Sequence, residues 1–356
     1  MRGRRQLLIG TRKGAFILES DDQRRDWAMR GPFCETWPIH HFVRGPGGTL
    51  YAAGGNAWYG PSVWRSEDGG LTWSQSSMGL TYGDDEPKIT SIWNLTPTDG
   101  VVYAGVEPAG LFRSDDGGVT WHHVAGLREH PSRPEWQPGA GGLCLHSISV
   151  HPTESDRMWV GISAVGTFET TDGGRTWETR NRGVRADFIP GPAPEFGQCV
   201  HNLRLDPSRP ESLFQQNHCG VYRTDDGGRT WTEITAGLPS QFGFPLAVHP
   251  HDNSTVYVIP HNGPEQGRHM IHGHAAVWRS RNRGGSWQRL DDGLPTQNAY
   301  LTVLREAMAI DRQEPAGVYF GTSTGQVFAS TDEGDHWRLI ADFLPPIWSV
   351  EATSVE

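Results

Sequence analysis

The chain has 356 residues, including 45 glycines and 25 prolines, and a formal net charge of −10 at pH 7. Its 36% hydrophobic residues and 15 tryptophans are enough to build a large core. The acidic balance argues against nucleic acid as a partner, because neutralising phosphates needs a surplus of Lys and Arg. No stretch approaches the roughly 18 apolar residues of a membrane span, so no membrane partner is expected.

The first residues do not read as a secretory signal. Arg2, Arg4 and Arg5 precede only the short stretch Leu7 to Gly10, whereas a signal needs about 7–15 apolar residues. The chain has four cysteines, too few for a disulfide scaffold of this length. We therefore expect a cytoplasmic protein.

An eight-residue motif then recurs along the chain. A degenerate copy covers Ser20 to Trp27, and clear copies follow, with Asn282 and His336 as departures. These copies are Ser66 to Trp73, Ser114 to Trp121, Thr170 to Trp177, Thr224 to Trp231, Ser280 to Trp287 and Ser330 to Trp337.

The tryptophans that end these copies are spaced 46 to 56 residues apart. A period near 50 residues, filled with short strands and turn residues, is typical of a β-propeller blade. Seven copies predict an all-β fold of seven blades forming one domain over residues 1–356. The seven markers are Trp27, Trp73, Trp121, Trp177, Trp231, Trp287 and Trp337.

Each repeat reads as four antiparallel strands. In the fourth repeat we predict strands over Leu145 to Val150, Arg157 to Ile162, Gly166 to Thr170 and Thr176 to Arg180. The Asp-Gly-Gly segment falls in the last hairpin, where a turn needs glycine and a side chain that binds its amides. We interpret the motif aspartates as structural.

The two ends of the chain complement each other. The first repeat begins at its second strand, Leu7 to Gly10, and the chain ends with an inner strand, Pro346 to Glu351, that has no blade. Pairing the C-terminal strand into the first blade would close the ring and remove an exposed sheet edge.

The repeated Ser-x-Asp-x-Gly-x-Thr-Trp motif resembles the Asp-box, or bacterial neuraminidase repeat (BNR), superfamily. That superfamily includes sialidases, xyloglucanases, sortilin-type receptors and the photosystem II assembly factor. Gly105 to Ser114, Gly142 to His146 and Gln198 to Asn202 resemble a group of cytoplasmic bacterial BNR-repeat proteins that carry the names exo-alpha-sialidase or glycosyl hydrolase. The resemblance implies a propeller, and a glycosyl hydrolase activity among others.

The chain departs from the enzymes in this superfamily. Sialidases have six blades and an arginine triad, whereas this chain has seven repeats, and Arg44 is separated from Pro46 only by glycine. Xyloglucanases cleave in a cleft between two propellers, and one is predicted here. We therefore do not expect a true sialidase, and fold alone does not assign a reaction.

Propeller geometry indicates where a site would lie. The loops joining strands 1–2 and 3–4 share one face with the Asp boxes, and the other loops share the opposite face. The long loops Ala125 to Gly142, Asn181 to Gln198 and Pro260 to His274 all belong to that opposite face. Long loops grouped at one mouth of a rigid scaffold usually build a binding or catalytic site.

Polar residues at this mouth form the predicted site. As catalytic candidates we take two carboxylates that could act as acid or base and two histidines that could shuttle a proton: Glu107, His146, His201 and Glu306. As substrate-binding candidates we take Arg12, Lys13, His40, Tyr59, His218 and Arg305.

His146, His201 and His218 are also candidate ligands of a divalent metal such as Zn²⁺. Cys144 and Cys199 precede two of them by two residues, and positions i and i+2 of a strand share a face. Thiolate and imidazole suit Zn²⁺. A polar channel lining without metal remains open as the alternative.

Two functions fit these residues. The first is a hydrolase- or lyase-like enzyme acting on a small anionic or carbohydrate-like molecule. The second is a non-catalytic binding or assembly module with a protein partner, like the photosystem II assembly factor. The sequence leaves open whether the chain is an enzyme.

Overall fold

The structure, a computed structural model, describes residues 4–84 and 86–355. Residues 1–3, 85 and 356 of the predicted domain lie outside the described residues. The first fourteen strands are β1 (Arg4–Thr11), β2 (Gly14–Ser20), β3 (Ala28–Phe33), β4 (Ile39–Arg44), β5 (Leu50–Asn56), β6 (Gly60–Ser66), β7 (Ser74–Ser76), β8 (Ser91–Pro97), β9 (Val102–Glu107), β10 (Gly110–Ser114), β11 (His122–His123), β12 (Leu145–Val150), β13 (Met158–Ile162) and β14 (Gly166–Thr170).

The remaining strands continue the same pattern. They are β15 (Glu178–Thr179), β16 (Val200–Leu205), β17 (Leu213–Asn217), β18 (Gly220–Thr224), β19 (Thr232–Glu233), β20 (Gly243–Val248), β21 (Val256–Pro260), β22 (Val277–Ser280), β23 (Gln288–Leu290), β24 (Met308–Ile310), β25 (Val318–Gly321), β26 (Val327–Ser330), β27 (Arg338–Ala341) and β28 (Ile347–Val355). One-turn 3₁₀ helices cover Ala125–Leu127, Arg133–Glu135, Pro264–Gln266 and Ile271–Gly273.

These strands form seven four-stranded antiparallel sheets, which we number as blades 1 to 7. Blade 1 has the order β28-β1-β2-β3, and blades 2 to 7 take the following strands four at a time, from β4–β7 to β24–β27. The prediction of a seven-bladed, all-β propeller is confirmed. Among the described residues, none of the helices has the length and apolar character needed to cross a membrane.

The C-terminal strand closes the ring, as predicted. β28 pairs antiparallel with β1 from Arg4↔Val355 to Gly10↔Ser349. Ile347 and Val350 on β28 are 0% and 2% exposed. Each inner strand also packs against the inner strand of the next blade, and β28 lies between β24 and β4. Closure therefore buries apolar side chains as well as pairing the edge of β1.

The Asp boxes act as turn-stabilising devices. In blade 4, the Asp172 carboxylate accepts hydrogen bonds from the Thr176 amide at 2.9 Å and the Thr176 hydroxyl at 2.7 Å. These bonds to Thr176 lower the pKa of Asp172 to about 2. The Trp177 indole then donates to the Gly174 carbonyl at 3.0 Å. The structural interpretation of these aspartates is consistent with these contacts.

Candidate functional site

A β-bulge recurs at the start of the inner strands. In blades 2 to 5 the pairing register skips one residue, between Ile39 and His41 in blade 2 and at the matching position in the next three. The register also shifts in blade 6 and in β28. A bulged residue lies outside the regular pairing, so its side chain is redirected. The bulged residues are His40, Trp93, His146, His201, Phe244 with Pro245, and Trp348.

Blade 7 supplies Arg305 at the equivalent place. Glu306 forms a parallel bridge with Ser349 of blade 1, so Arg305 is level with Trp348. The seven blades thus contribute a ring of large side chains at one end of the channel. We call this set of bulged residues together with Arg305 the bulge ring.

Aromatic stacking organises one side of the bulge ring. The imidazole of His40 stacks on Trp348 with ring centroids 4.2 Å apart, and on Trp93 at 4.7 Å. Burial lowers the pKa of His40 to about 3, so its ring is neutral at pH 7. The Arg305 guanidinium carbon lies 5.8 Å from the Trp93 ring and 5.2 Å from the Phe244 ring, within cation–π distance.

Two histidines of the ring are held by the backbone of the next blade. His146 contacts the Val200 carbonyl through Nε2 at 2.9 Å and the Ser147 hydroxyl through Nδ1 at 2.9 Å. His201 Nδ1 lies 2.6 Å from the Gly243 carbonyl. Since a carbonyl only accepts, the nitrogen facing it carries the proton. Burial, followed by the charge of Arg305, holds the pKa of both histidines well below its usual range.

A cavity of about 790 Å³ opens beside the bulge ring on the face without Asp boxes. Its residues come from the long crossing loops and the loops between second and third strands, as the geometry predicts. The lining combines aromatic walls with cations, and of the described residues that line it none is Asp or Glu. Its aromatic, thiol, imidazole and guanidinium side chains belong to Phe188, Cys199, His201, His218, Phe242, Phe244, Arg268 and Arg305.

Arg305 is the central cation of this cavity. It is half-buried, and its guanidinium makes no hydrogen bond or ion pair with any described residue, while its Nε is buried without a partner. Arg268, also half-buried, lines the same cavity and contributes to lowering the pKa of His218, for which burial is the larger cause. The cavity therefore presents uncompensated positive charge within apolar walls.

Cys199, His201 and His218 cluster in the same cavity wall. One ligand atom from each lies within 4.8 Å of the other two. The His218 amide donates to the Cys199 carbonyl at 2.9 Å, which ties the ends of two adjacent strands together. We refer to these three residues as the Cys–His–His cluster. His146, the third predicted metal ligand, is not part of this cluster.

The predicted carboxylates occupy different environments. Glu306 is buried and accepts a hydrogen bond from Arg204 at 2.5 Å, with His41 Nε2 at 4.0 Å from its carboxylate. Glu107 accepts from the Trp93 indole at 2.8 Å. Neither lines the large cavity, so no pair of carboxylates faces a ligand there.

The ten predicted site residues fall into three groups. His201, His218 and Arg305 line the large cavity. His40, His146 and Glu306 line a narrower cavity of about 170 Å³ that shares Leu304 and Arg305 with it. Glu107, Arg12, Lys13 and Tyr59 line neither.

The rim residues are exposed. Arg12 and Lys13 lie in the β1–β2 turn, and Tyr59, 50% exposed, packs against Trp37 in a tilted arrangement with ring centroids 4.7 Å apart. All exposed aromatic residues of the described chain come from loops on the cavity face: Trp58, Tyr59, Phe188, Tyr300 and Phe343.

Sequence reasoning missed Trp93, Phe244, Arg268 and Trp348. A usable signal exists for two of them. The inner strands repeat an aliphatic residue followed by a large polar or aromatic one: Ile39-His40, Ile92-Trp93, Leu145-His146, Val200-His201, Leu304-Arg305 and Ile347-Trp348. Arg268 lies in a blade-6 loop without a counterpart in other repeats, so no repeat comparison would reveal it.

A second cavity of about 630 Å³ opens at the Asp-box end of the channel. It contains Arg5, Arg204, Arg312 and Glu351. Burial, with a contribution from Glu306, raises the pKa of Glu351 to about 7. Charges therefore occupy both ends of the channel, but here the cations face a carboxyl group.

Comparison with known proteins agrees with the fold. A family model described as BNR/Asp-box repeat matches residues 112–123. A xyloglucanase from Paenibacillus sp is 25% identical over 55% of this chain and 20% of its own length. A probable oligoxyloglucan-reducing end-specific xyloglucanase from Neosartorya fischeri is 30% identical over 26% of this chain and 12% of its own length. The matches thus span a fifth or less of these two relatives.

Solved structures similar to the chain are also propellers. An ancestral GH74 enzyme superposes with a TM-score of 0.59 at 16% identity, covering 85% of this chain and 38% of that one. YCF48 in complex with a peptide gives 0.56 at 15% identity, covering 85% and 80%. AztD from Citrobacter koseri gives 0.58 at 11% identity, covering 100% and 99%. The chain is a seven-bladed β-propeller that carries BNR/Asp-box repeats.

Proposed function

We propose that the chain is a hydrolase- or lyase-like enzyme that binds a small organic anion in the 790 Å³ cavity beside the bulge ring. The observation that carries the proposal is Arg305, a half-buried guanidinium without an anionic partner among the described residues. A buried charge is costly unless paired. A carboxylate, sulfate or phosphate group on a ligand would supply the missing partner through paired N–H donors.

The walls of the cavity favour a ligand with an aromatic or apolar part. Phe242 and Phe244 are almost fully buried and Phe188 is about half exposed, and all three line the cavity with the two arginines. Apolar walls also strengthen the attraction between an arginine and a bound anion by lowering the local dielectric.

His201 and His218 are the candidates for chemistry on the bound molecule. Their ring centroids are 5.7 Å apart, and both lie in the wall that carries the arginines. The names of the xyloglucanase relatives support hydrolysis as the reaction class. The uncompensated cations support an anionic substrate in preference to a neutral polysaccharide.

Thermal unfolding with small probes tests binding. Phenyl phosphate and benzoate should raise the unfolding midpoint of the wild type, whereas benzyl alcohol should not. At a ligand concentration of ten times Kd, the stabilisation is about 1.4 kcal/mol. R305M should lose this response. R312M is the matched control, because Arg312 lines the cavity at the other end. Equal responses in wild type and R305M would refute the proposal.

Chromogenic substrates test the reaction. Anionic aryl esters such as p-nitrophenyl phosphate should be turned over, and neutral p-nitrophenyl glucosides should not. Turnover of glucosides alone would contradict the assignment of an anionic substrate.

A binding module is the second candidate function. The exposed aromatic residues of the described chain lie in loops on the cavity face, and a similar fold, YCF48, has been solved with a bound peptide. Anion binding without turnover of any aryl ester would favour this candidate.

A further inference from the structure

We propose that the Cys–His–His cluster of Cys199, His201 and His218 is a Zn²⁺-binding site with one coordination position open to the cavity. This inference does not rest on anion binding, since its donors are a thiolate and two imidazoles rather than the arginines. Such a donor set suits zinc and related transition metals and excludes Mg²⁺ and Ca²⁺, which prefer oxygen.

The geometry needs only a small adjustment. Ligand atoms on tetrahedral zinc lie about 3.3–3.7 Å apart, and the described atoms lie within 4.8 Å of one another. The backbone hydrogen bond from His218 to Cys199 holds the two strand ends in place. Side-chain rotations that move each atom by about 1 Å would complete the site.

The surroundings orient one ligand in advance. His201 donates its Nδ1 proton to the Gly243 carbonyl at 2.6 Å, which leaves Nε2 with a lone pair for the metal. Metal-bound histidines almost always donate their second nitrogen in this way. His218 packs edge-on against Phe188 and Phe242, which restricts its ring.

The matching pair in blade 4 lacks these properties. Cys144 is fully buried, and both nitrogens of His146 already have partners.

The number of protein ligands indicates the kind of zinc site. Structural zinc sites have four protein ligands, whereas three protein ligands with an open position are typical of sites that bind a water molecule or a substrate. In this chain the cavity containing Arg268 and Arg305 adjoins the cluster.

Titration of the metal-free protein with Co²⁺, followed by competition with Zn²⁺, tests the proposal. We expect one equivalent of Co²⁺ to give tetrahedral visible bands and a thiolate charge-transfer band, both removed by Zn²⁺. C199S should lose the charge-transfer band, and C199S and H218Q should each weaken binding by more than about 100-fold, since even outer partners cost about 10–100-fold.

C144S is the matched control and should bind Co²⁺ like the wild type. Circular dichroism and the thermal midpoint establish that each variant is folded. Absence of the bands in folded wild type, their persistence in C199S, or their equal loss in C144S would overturn the site. The phenyl phosphate response measured in EDTA reports on anion binding separately, so each proposal can fail without the other.

Discussion

Replacement by methionine should change the free energy of unfolding by very different amounts at two arginines of the channel. Arg204 binds the buried carboxylate of Glu306 at 2.5 Å, whereas Arg305 has no anionic partner among the described residues. If Arg305 is retained for ligand binding rather than for folding, its removal should cost little stability. Arg204 is structural, and its removal should strongly lower the free energy of unfolding.

The magnitudes follow from the contacts. R305M loses two cation–π contacts, each worth about 0.5–1 kcal/mol, and gains an apolar side chain beside Phe244, so the net change should stay within about 1 kcal/mol. R204M leaves Glu306 buried without its counter-charge, for which about 3 kcal/mol or more is expected. The double variant R204M/E306Q should recover much of that loss.

Urea unfolding at pH 7, followed by tryptophan fluorescence and circular dichroism, measures these differences. The wild type and R312M provide the reference, because Arg312 is exposed. If R305M lost as much free energy of unfolding as R204M, Arg305 would be a structural residue and the anion-binding argument would fail.

Three further predictions concern the fold. D172A should lower the free energy of unfolding by about 1 kcal/mol, as for loss of a helix cap. The pKa of Asp172 is about 2 in the folded protein and 3.8 ordinarily, so the stabilisation by its carboxylate is complete above pH 3.8 and is lost as the pH falls towards 2. Unfolding of D172A and wild type should therefore differ more at pH 6 than at pH 3. Glu351 has a raised pKa of about 7, so the stability gained by protonating it in the folded state is present below pH 4.5 and is lost as the pH rises through 7. E351Q should therefore have a higher thermal midpoint than wild type at pH 8.5 and an equal one at pH 4.5. Equal midpoints at both pH values would contradict this. I347A should lose about 3 kcal/mol by urea unfolding, while S354A on the same strand should change by less than about 0.5 kcal/mol; similar effects would argue against a closed ring.

The sequence was sufficient to predict the architecture because one motif marks every blade. Each box aspartate binds the amides of its own turn, so residues such as Asp172 and Trp177 report local geometry directly. The first repeat has no inner strand before Leu7, and the chain ends with an inner strand at Ile347 that has no blade. Comparison with the complete repeats therefore indicated that the two ends pair and close the ring. A single copy of the motif is a weak signal, but its seven copies gave the number of blades.

The site was only partly predictable. Placing His201, His218 and Arg305 at one mouth needed only strand order and loop length. Whether Glu306 faces a ligand or Arg204 depends on contacts between residues about a hundred positions apart, which no local pattern carries. Arg268 lies in a loop that is held by a hydrogen bond from the Thr302 hydroxyl to the Arg268 carbonyl, a contact between distant parts of the chain, so its place in the cavity could not be predicted from the sequence.

A crystal structure of the protein with phenylphosphonate tests the central claim most directly. The account predicts that the phosphonate oxygens lie within hydrogen-bond distance of Arg305 and Arg268, with the phenyl ring against Phe242 or Phe244. A phosphonate bound only beside Arg5 and Arg312 at the Asp-box end, or an empty cavity at saturating phenylphosphonate, would contradict it.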